Sequence, residues 1–314
     1  MALTAFVTHS DCSRHDTGWR HPEHQGRLPA LSRAVYRDML ALHEHLLEVE
    51  GRPADMEDLR LVHTARYIDE IRKTVDEAAR VGQPVVFAGD AVLSGASWDA
   101  LLAAVGCGLT AVDTVIEGKA RNAFCAVRPP GRGADRDSEG RFGFFNTVAI
   151  AARHLRERLG AGPVLVVDLG GIDPTATPHI LAADEGVKVL SIRQRSLTGA
   201  RRTGSSGVEV VVRPGADGDE YRRALGIGLD AVLSGFSPDF VLLSAGFDGL
   251  RSDPLSDLSL EPVDYYDLTL DVRNRADRHC AGRLVSVLEG GYDPAGTGAA
   301  VVQHLRALAG LEPA

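Results

Sequence analysis

Four short apolar segments of this 314-residue chain are each followed by a turn that carries charged or hydroxyl side chains. Carboxylates, histidines and hydroxyls are the groups that bind metal ions and transfer protons in enzymes. The turns are Arg128-Pro129-Pro130-Gly131-Arg132-Gly133, Asp168-Leu169-Gly170-Gly171-Ile172-Asp173, Ala245-Gly246-Phe247-Asp248 and Glu289-Gly290-Gly291-Tyr292-Asp293. We expect the functional site where these turns meet.

The segments between the turns predict how they are brought together. Runs rich in Val, Ile and Leu are typical of strands buried on both faces, and they cover residues 123–127, 164–168, 187–192, 239–244 and 283–288. Helical periodicity covers residues 28–50, 65–79, 97–116, 146–159, 219–233, 263–279 and 298–309. This alternation predicts a single α/β domain over residues 1–314, with a central, mostly parallel sheet flanked by helices on both faces. Sites in such sheets form beyond the carboxyl ends of the strands.

Composition limits the classes of partner. With 34 Lys and Arg against 43 Asp and Glu, the formal net charge is −9, so direct binding to nucleic acid is not expected. The longest apolar run, residues 100–112, is shorter than the roughly 18 to 20 residues of a bilayer span, and no membrane partner is expected. The four cysteines have no CxxC spacing, and residues 1–9 lack the features of a signal peptide. We therefore expect a cytoplasmic protein with reduced thiols.

In this order, the four turns resemble the histone deacetylase and acetylpolyamine amidohydrolase family, including its bacterial-type deacetylases. Other matching blocks are His15-Asp16-Thr17-Gly18, His21-Pro22-Glu23, Gly26-Arg27-Leu28, Val62-His63 with Tyr67, Phe142-Gly143-Phe144-Phe145-Asn146 and Asp253-Pro254-Leu255. Each block is weak alone, but together they cover nearly the whole chain in register. The resemblance implies the arginase-deacetylase fold and the chemistry of a zinc-dependent amide hydrolase.

The resemblance also implies a site that has lost most of its zinc ligands. The family binds one zinc ion through two aspartates and a histidine, and these positions fall on Gly170, Asp248 and Ile172, of which only Asp248 retains a ligand side chain. The family's catalytic histidine pair falls on Arg132 and Gly133. Glycine and isoleucine side chains have no donor atom for zinc, and without zinc the attacking water keeps its high pKa. No bound zinc is expected.

Three other family positions keep their residues. Tyr292 matches the tyrosine that polarises the acetyl carbonyl, Phe142 matches a phenylalanine of the acyl-lysine tunnel, and Asp168 matches the first aspartate of its turn. We therefore predict a pseudo-deacetylase, catalytically impaired or inactive, that binds an unidentified ligand or protein partner in a pocket of Phe142, Asp168, Asp248 and Tyr292. The alternative is an active deacetylase of acetyl-lysine or acetylpolyamines with a displaced metal site. A third hypothesis is a structural subunit with a closed pocket.

Asp248 needs a positive partner if zinc is absent, because an unpaired buried carboxylate is costly. We predict an ion pair between Asp248 and Arg132, with Tyr292 hydrogen-bonded nearby. The displaced metal site of the alternative hypothesis would use Asp168, Asp248 and two further groups, Asp173 and His179. The two hypotheses place different partners beside Asp248.

A monovalent-cation site beside the zinc is a further feature that the resemblance implies. The matching groups are the Asp168 side chain, the Ser191 hydroxyl and the carbonyls of Gly170, Ile172 and Ile192. Backbone carbonyls are unaffected by replacement of their side chains. A structural potassium or sodium ion is therefore expected even where zinc is lost.

Overall fold

The chain forms a single α/β domain in a computed structural model, which describes residues 3–171, 176–194 and 207–314. Its strands in chain order are β1 (Thr4–Thr8), β2 (Leu46–Glu50), β3 (Val85–Ala88), β4 (Ala91–Leu93), β5 (Asn122–Cys125), β6 (Val164–Leu169), β7 (Val187–Gln194), β8 (Gly207–Val212), β9 (Phe240–Ala245) and β10 (Leu284–Leu288). Strands β3 and β4 form a separate antiparallel pair. The others form one sheet in the order β2-β1-β5-β10-β9-β6-β7-β8, with every neighbouring pair parallel.

Helices flank this sheet and return the chain from the end of one strand to the start of the next. They are α1 (Arg27–Arg37), α2 (Met39–Leu42), α3 (Met56–Arg60), α4 (Ala65–Val81), α5 (Ser97–Ile116), α6 (Thr147–Arg153), α7 (Ala176–Ile180), α8 (Gly218–Leu233), α9 (Asp264–Cys280) and α10 (Pro294–Ala309). Local signals set their ends. The Asp293 carboxylate accepts hydrogen bonds from two amides of α10, Pro294 opens that helix, and Gly310 ends it with a φ of 76°.

The predicted fold class is confirmed, and the predicted strands correspond to β5, β6, β7, β9 and β10. One predicted helix is wrong, because residues 28–50 divide into α1, α2 and the edge strand β2. The segment Leu46–Glu50 alternates in burial and pairs with β1, which is the pattern of a strand exposed at the sheet edge. Sequence patterns also missed β1, β8 and the β3–β4 pair, since strands of three to six residues are too short to show a clear periodicity.

Helix α5 corrects the expectation that no segment reaches membrane-spanning length. It has 20 residues and is long and apolar enough to cross a membrane by length and composition. Within the protein, 72% of its most apolar 18-residue stretch is buried. Its apolar surface packs against strands β1, β5 and β10, so it serves as a core helix.

Three buried histidines make stability depend on pH. Burial lowers the pKa of His15 and of His304 to about 3, and that of His63 to about 4. His304 lies between the hydroxyls of Thr269 (2.6 Å) and Ser286 (2.9 Å). Each imidazole is neutral when folded but takes up a proton in the unfolded chain below about pH 6.5. The folded pKa is depressed, so the stability is present above pH 6.5 and is lost as the pH falls towards 3.

We expect the free energy of unfolding to decrease by about 2 kcal/mol for each of these three histidines between pH 7 and pH 5. Urea titrations at a series of pH values would measure it. His304→Gln should lose about one histidine's share of this pH dependence, whereas His43→Gln, at an exposed position, should retain all of it. An unchanged pH dependence in His304→Gln would show that His304 takes up a proton in the folded protein as readily as in the unfolded chain.

Candidate functional site

The four turns noted in the sequence meet at one edge of the sheet. Strands β5, β10, β9 and β6 are consecutive neighbours and run parallel, so their carboxyl ends lie side by side. Each strand delivers its turn to this edge, as expected for an α/β sheet. The sheet order therefore brings together residues that are more than 150 positions apart in the chain, such as Arg132 and Glu289.

Arg132 lies at the centre of this site, with 6% of its surface exposed. Its Nη2 donates to Oδ2 of Asp248 at 2.9 Å, and its Nη1 donates to Oδ1 of Asp168 at 3.0 Å and to the Leu169 carbonyl at 2.9 Å. The remaining Asp248 oxygen accepts from the Gly171 amide at 3.2 Å. The predicted ion pair between Arg132 and Asp248 is therefore present, and it extends to Asp168.

The guanidinium fills the space beside Gly170. A Cβ added to Gly170 would overlap both terminal nitrogens of Arg132 and would lie 2.6 Å from Cζ. That distance is far shorter than any real contact of a Cβ. A side chain at position 170 and the observed Arg132 conformation therefore exclude each other. The observed Arg132 conformation therefore requires glycine at position 170, and the same glycine removes a zinc ligand.

Burial and charge pairing act in opposite directions on the pKa values of this site. Burial would lower the pKa of Arg132, but the charges of Asp248 and Asp168 outweigh it and raise that pKa above its ordinary value. Burial raises the pKa of Asp168 even though Arg132 opposes the shift. Such a desolvated cluster is held by its pairing, so removing one member leaves the others uncompensated.

Glu289 holds the turn that carries Arg132. Its Oε2 accepts from the backbone amides of Gly131 at 2.7 Å and Arg132 at 2.9 Å. Burial raises the pKa of Glu289 to about 7, although the two amide hydrogen bonds act to lower it. The carboxyl group follows β10 directly, so it fixes the β5 turn to the neighbouring strand and orients the arginine.

A second buried charge network supports the turn that carries Tyr292. Arg27 donates to the carbonyls of Gly291 and Glu289, each at 2.7 Å, and to Oε1 of Glu23 at 2.8 Å. Arg128 donates to the other oxygen of Glu23 at 2.8 Å. Glu23 is fully buried, and burial alone would raise the pKa of its carboxyl. The charges of Arg128 and Arg27 outweigh burial, so the pKa of Glu23 is lowered.

Phe142 and Tyr292 close the site. Their rings lie edge to face with centroids 5.4 Å apart, and the ring of His21 contacts Phe142 at 4.6 Å. Asp253 fixes the Tyr292 amide through a 2.6 Å hydrogen bond. Among the described residues, the Tyr292 hydroxyl has no hydrogen-bond partner, so the predicted bond to the ion pair is not seen. Burial raises the pKa of Tyr292 above its ordinary value.

Only a small space remains beside Arg132, and we call it the Arg132 cavity. Its volume is about 10 Å³, which is about the room needed for one water molecule. The cavity is lined by Pro130, Arg132, Gly133, Arg141, Asp248, Gly290 and Tyr292. Asp168 and Phe142 are not part of this lining, contrary to the predicted four-residue pocket. In this geometry the cavity has no room for an acylated alkyl chain.

Gly133, the second replaced histidine position, packs directly on the backbone. A Cβ at Gly133 would overlap the Gly140 carbonyl oxygen and lie 2.7 Å from its carbon. The next residues, Arg141 and Phe142, have φ values of 49° and 68°, in the left-handed region that side chains seldom adopt. This tight turn leaves no space for an imidazole at position 133.

The groups predicted to hold a monovalent cation are partly brought together. Asp168 and Ser191 are paired across β6 and β7, and Oδ2 of Asp168 and Oγ of Ser191 are buried without a hydrogen-bond partner in the described part of the chain. The carbonyls of Gly170 and Ile192 both accept from the Tyr221 hydroxyl, at 3.1 and 3.2 Å. Ile172 lies outside the described residues. Two of the five predicted groups are therefore unsatisfied oxygens that a cation could bind, whereas two carbonyls already accept from Tyr221.

The displaced metal site is not assembled by the described residues. His179 contacts Asp135 at 2.6 Å and is 53% exposed, while Asp168 and Asp248 bond to Arg132. Asp173 lies outside the described part of the chain. Over residues 3–171, 176–194 and 207–314, no group of three or more His, Cys, Asp or Glu side chains could hold a metal ion. The described residues of this site therefore do not fit zinc.

Three supporting residues were missed by sequence reasoning. The Tyr221 hydroxyl accepts a hydrogen bond from the Gly170 amide at 2.8 Å. Glu289 accepts from the Arg132 amide, and Asp253 accepts from the Tyr292 amide. Glu289 and Asp253 lie in segments that match the family, but the sequence alone predicted no function for either residue. A signal was present for Glu289, because a carboxylate directly after a buried strand must find donors. Nothing in the local sequence indicates the position of Tyr221, which lies on α8.

Comparison with known proteins agrees with the fold. The description "Histone deacetylase domain" matches residues 21–308. The chain belongs to the histone deacetylase family. A relative in this family, a histone deacetylase-like amidohydrolase of Pseudomonas aeruginosa, is 31% identical over 301 residues, which cover 90% of this chain and 76% of that protein. A probable deacetylase of Archaeoglobus fulgidus is 27% identical over 303 residues, covering 94% and 82%.

Solved structures of the family share the fold. The crystal structure of the HDA15 HD domain is similar with a TM-score of 0.87 at 25% identity, covering 99% of this chain and 91% of that one. The eight-stranded sheet and its flanking helices thus belong to the deacetylase fold. Fold membership does not decide activity, which depends on the residues of the site.

Proposed function

We propose that this deacetylase-family protein is non-catalytic, with an ion-pair cluster in place of the zinc site. The observation that carries the proposal is the position of the Arg132 guanidinium, which bonds to both Asp168 and Asp248. A positive group at this point supplies charge to the carboxylates but cannot bind and activate a water molecule as zinc does. The cluster therefore preserves the fold around the site while removing the nucleophile.

We also propose that the protein acts by binding a ligand or protein partner, because the family scaffold is retained without the catalytic histidine pair and two of the three zinc ligands. The Arg132 cavity is too small to be that binding site in the observed geometry. Binding is therefore assigned to another surface of the domain. The four cysteines are free and buried, which supports the proposed cytoplasmic location.

Metal analysis and an activity assay test the proposal together. The protein is expressed in zinc-supplemented medium, its zinc content per chain is measured, and turnover of acetyl-lysine and acetylpolyamine substrates is assayed beside an active member of the family. We expect far less than stoichiometric zinc and no turnover. Stoichiometric zinc together with turnover that a chelator abolishes would overturn the proposal.

The second candidate is an active deacetylase that binds metal at a displaced position. Its support is the naming of relatives as deacetylases or amidohydrolases. Its metal would have to displace Arg132 from Asp168 and Asp248. An Asp248→Asn variant separates the two candidates, since an active enzyme would lose its turnover, whereas a non-catalytic protein has no turnover to lose.

We also propose that a structural potassium or sodium ion binds beside Asp168. The unsatisfied oxygens of Asp168 and Ser191 support it. A bound ion stabilises the folded state by about 2.7 kcal/mol at a concentration one hundred times its Kd.

We expect a higher melting temperature in potassium chloride than in choline chloride of equal ionic strength. Ser191→Ala should remove the difference, and Ser234→Ala, at an exposed helix end, should keep it. Equal melting temperatures for the unmodified protein in both salts would exclude the ion.

A further inference from the structure

A larger cavity lies on another part of the domain, between helix α1 and the outer strands of the sheet. Its volume is about 460 Å³, within the roughly 300–1,000 Å³ typical of pockets for small organic ligands. It shares no lining residue with the Arg132 cavity. We call it the α1 cavity.

The floor of the α1 cavity is one face of strands β1 and β2. Phe6 pairs with Glu48 and Thr8 pairs with Glu50, so these four side chains share a face of the sheet. The intervening residue Val7 is completely buried on the opposite face. Two carboxylates and an aromatic ring are therefore presented together beneath α1.

The roof of the α1 cavity is largely apolar. Ser32, Val35, Tyr36 and Met39 line it, and their spacing of three, one and three places them on one side of the helical segment. Tyr36 is 65% exposed, so its ring forms part of the rim. A molecule in the cavity would contact hydrocarbon and aromatic surface above and carboxylates below.

Glu48 and Glu50 are the acidic side chains of the lining, and its one histidine, His9, accepts a hydrogen bond at Nδ1 from the Asp11 amide. Glu48 and Glu50 lie two residues apart on the same strand face, roughly 7 Å from one another, and both are exposed. Neither forms an ion pair with a described residue, and no lysine or arginine occurs among the described residues that line the cavity. The carboxylates would repel an anion and leave a cation favoured.

We propose that the α1 cavity binds an organic cation of the primary alkylammonium class. The ammonium group interacts with Glu48 and Glu50, and the hydrocarbon part packs against Tyr36 and Met39. The Tyr36 ring contributes a face that attracts cations. Such a ligand can be a free amine or a lysine side chain of another molecule, since both present the same group.

Calorimetric titration with hexylammonium, at low ionic strength, tests the proposal. Hexanol and hexanoate match its chain length without the positive charge. We expect hexylammonium to bind at least about tenfold more tightly than either, and to bind more weakly as salt is added. Equal binding of hexanol, or no binding of hexylammonium at millimolar concentration, would overturn the proposal. Titration with Nα-acetyl-lysine amide then distinguishes a chain-borne lysine from a free amine by its relative affinity.

Two variants locate the binding at this cavity. The double variant Glu48→Gln, Glu50→Gln should weaken hexylammonium about tenfold, because each carboxylate contributes a partly exposed charge interaction. The double variant Glu185→Gln, Glu312→Gln changes the net charge equally at exposed positions outside the cavity and should bind normally. Equal weakening in both doubles would assign the effect to overall charge and reject the site.

A third variant tests whether binding needs the volume of the α1 cavity rather than its charge. Ser32→Phe places a ring in the cavity from the α1 side and keeps both glutamates. It should abolish binding of hexylammonium. Retained affinity in a folded Ser32→Phe protein would contradict binding inside the cavity. The outcome does not depend on zinc or on deacetylase activity, since Arg132 plays no part in it.

Discussion

An Arg132→Met variant is expected to lose about 3–5 kcal/mol of its free energy of unfolding. The side chain pairs with Asp248 at 2.9 Å and Asp168 at 3.0 Å, and both carboxylates are 1% exposed. Methionine approximates the length of the arginine stem but supplies no charge. Two carboxylates would then remain in a desolvated site without a counter-charge.

Urea unfolding of the variant measures this loss against a matched arginine. Arg66 pairs with Glu70 at 2.9 Å, but the two side chains are 68% and 44% exposed. Arg66→Met removes the same chemical group from water and should change stability little. Similar stabilities for Arg132→Met and the unmodified protein would show that the carboxylates do not depend on Arg132.

The coupling between Arg132 and Asp248 gives an independent readout. Asp248→Asn alone removes one charge but leaves the guanidinium buried, whereas the double variant with Arg132→Met removes both partners. The double variant should cost at least about 1 kcal/mol less than the sum of the two single variants. Additive effects would mean that the observed 2.9 Å contact contributes nothing specific.

The substitution of a guanidinium for a metal has a structural consequence. Zinc brings two positive charges, and Arg132 brings one to a site with two carboxylates. One oxygen of Asp168 is left without a hydrogen bond in the described residues, beside the similarly unsatisfied Ser191 hydroxyl. The proposed monovalent cation would supply the missing charge at that oxygen. The two proposals for this site are thus connected through Asp168.

Much of the site could be predicted from the sequence because its causes are local. The turns follow buried apolar strands, and parallel strands place their carboxyl ends at one edge. The Arg132–Asp248 pair was predictable since a buried carboxylate without a metal needs a counter-charge. Closure by Phe142 and Tyr292 was not, because it depends on the φ of 68° at Phe142 and on the Asp253 bond to the Tyr292 amide.

The α1 cavity was hidden by a mistaken helix. Residues 28–50 show helical periodicity throughout, but β2 takes the last five as an edge strand. As part of a helix, Glu48 and Glu50 would lie about 200° apart and could not act together. Pairing with β1, which is separated from β2 by almost forty residues, places them on one face. Long-range pairing of this kind leaves little trace in a local pattern.

A Gly170→Asp substitution should be tolerated only when Arg132 is also replaced. With Arg132 present, the new Cβ would overlap the guanidinium, so the arginine would have to leave both of its carboxylate partners. We expect a loss comparable to that of Arg132→Met, about 3–5 kcal/mol, or failure to fold. In an Arg132→His background the overlap is absent, and the same substitution should cost far less.

The triple variant Arg132→His, Gly170→Asp, Ile172→His extends this argument to the metal. It restores two aspartates and a histidine as ligands, and it adds an imidazole where the family has one. We expect one zinc per chain and a zinc-dependent rise in melting temperature that EDTA reverses. Arg132→His alone should bind no zinc. Stoichiometric zinc in the double variant Gly170→Asp, Ile172→His, which keeps the arginine, would contradict the mutual exclusion of Arg132 and a side chain at position 170. Turnover should stay low in the triple variant, because Gly133 packs on Gly140 and cannot be replaced by the second histidine without moving the backbone.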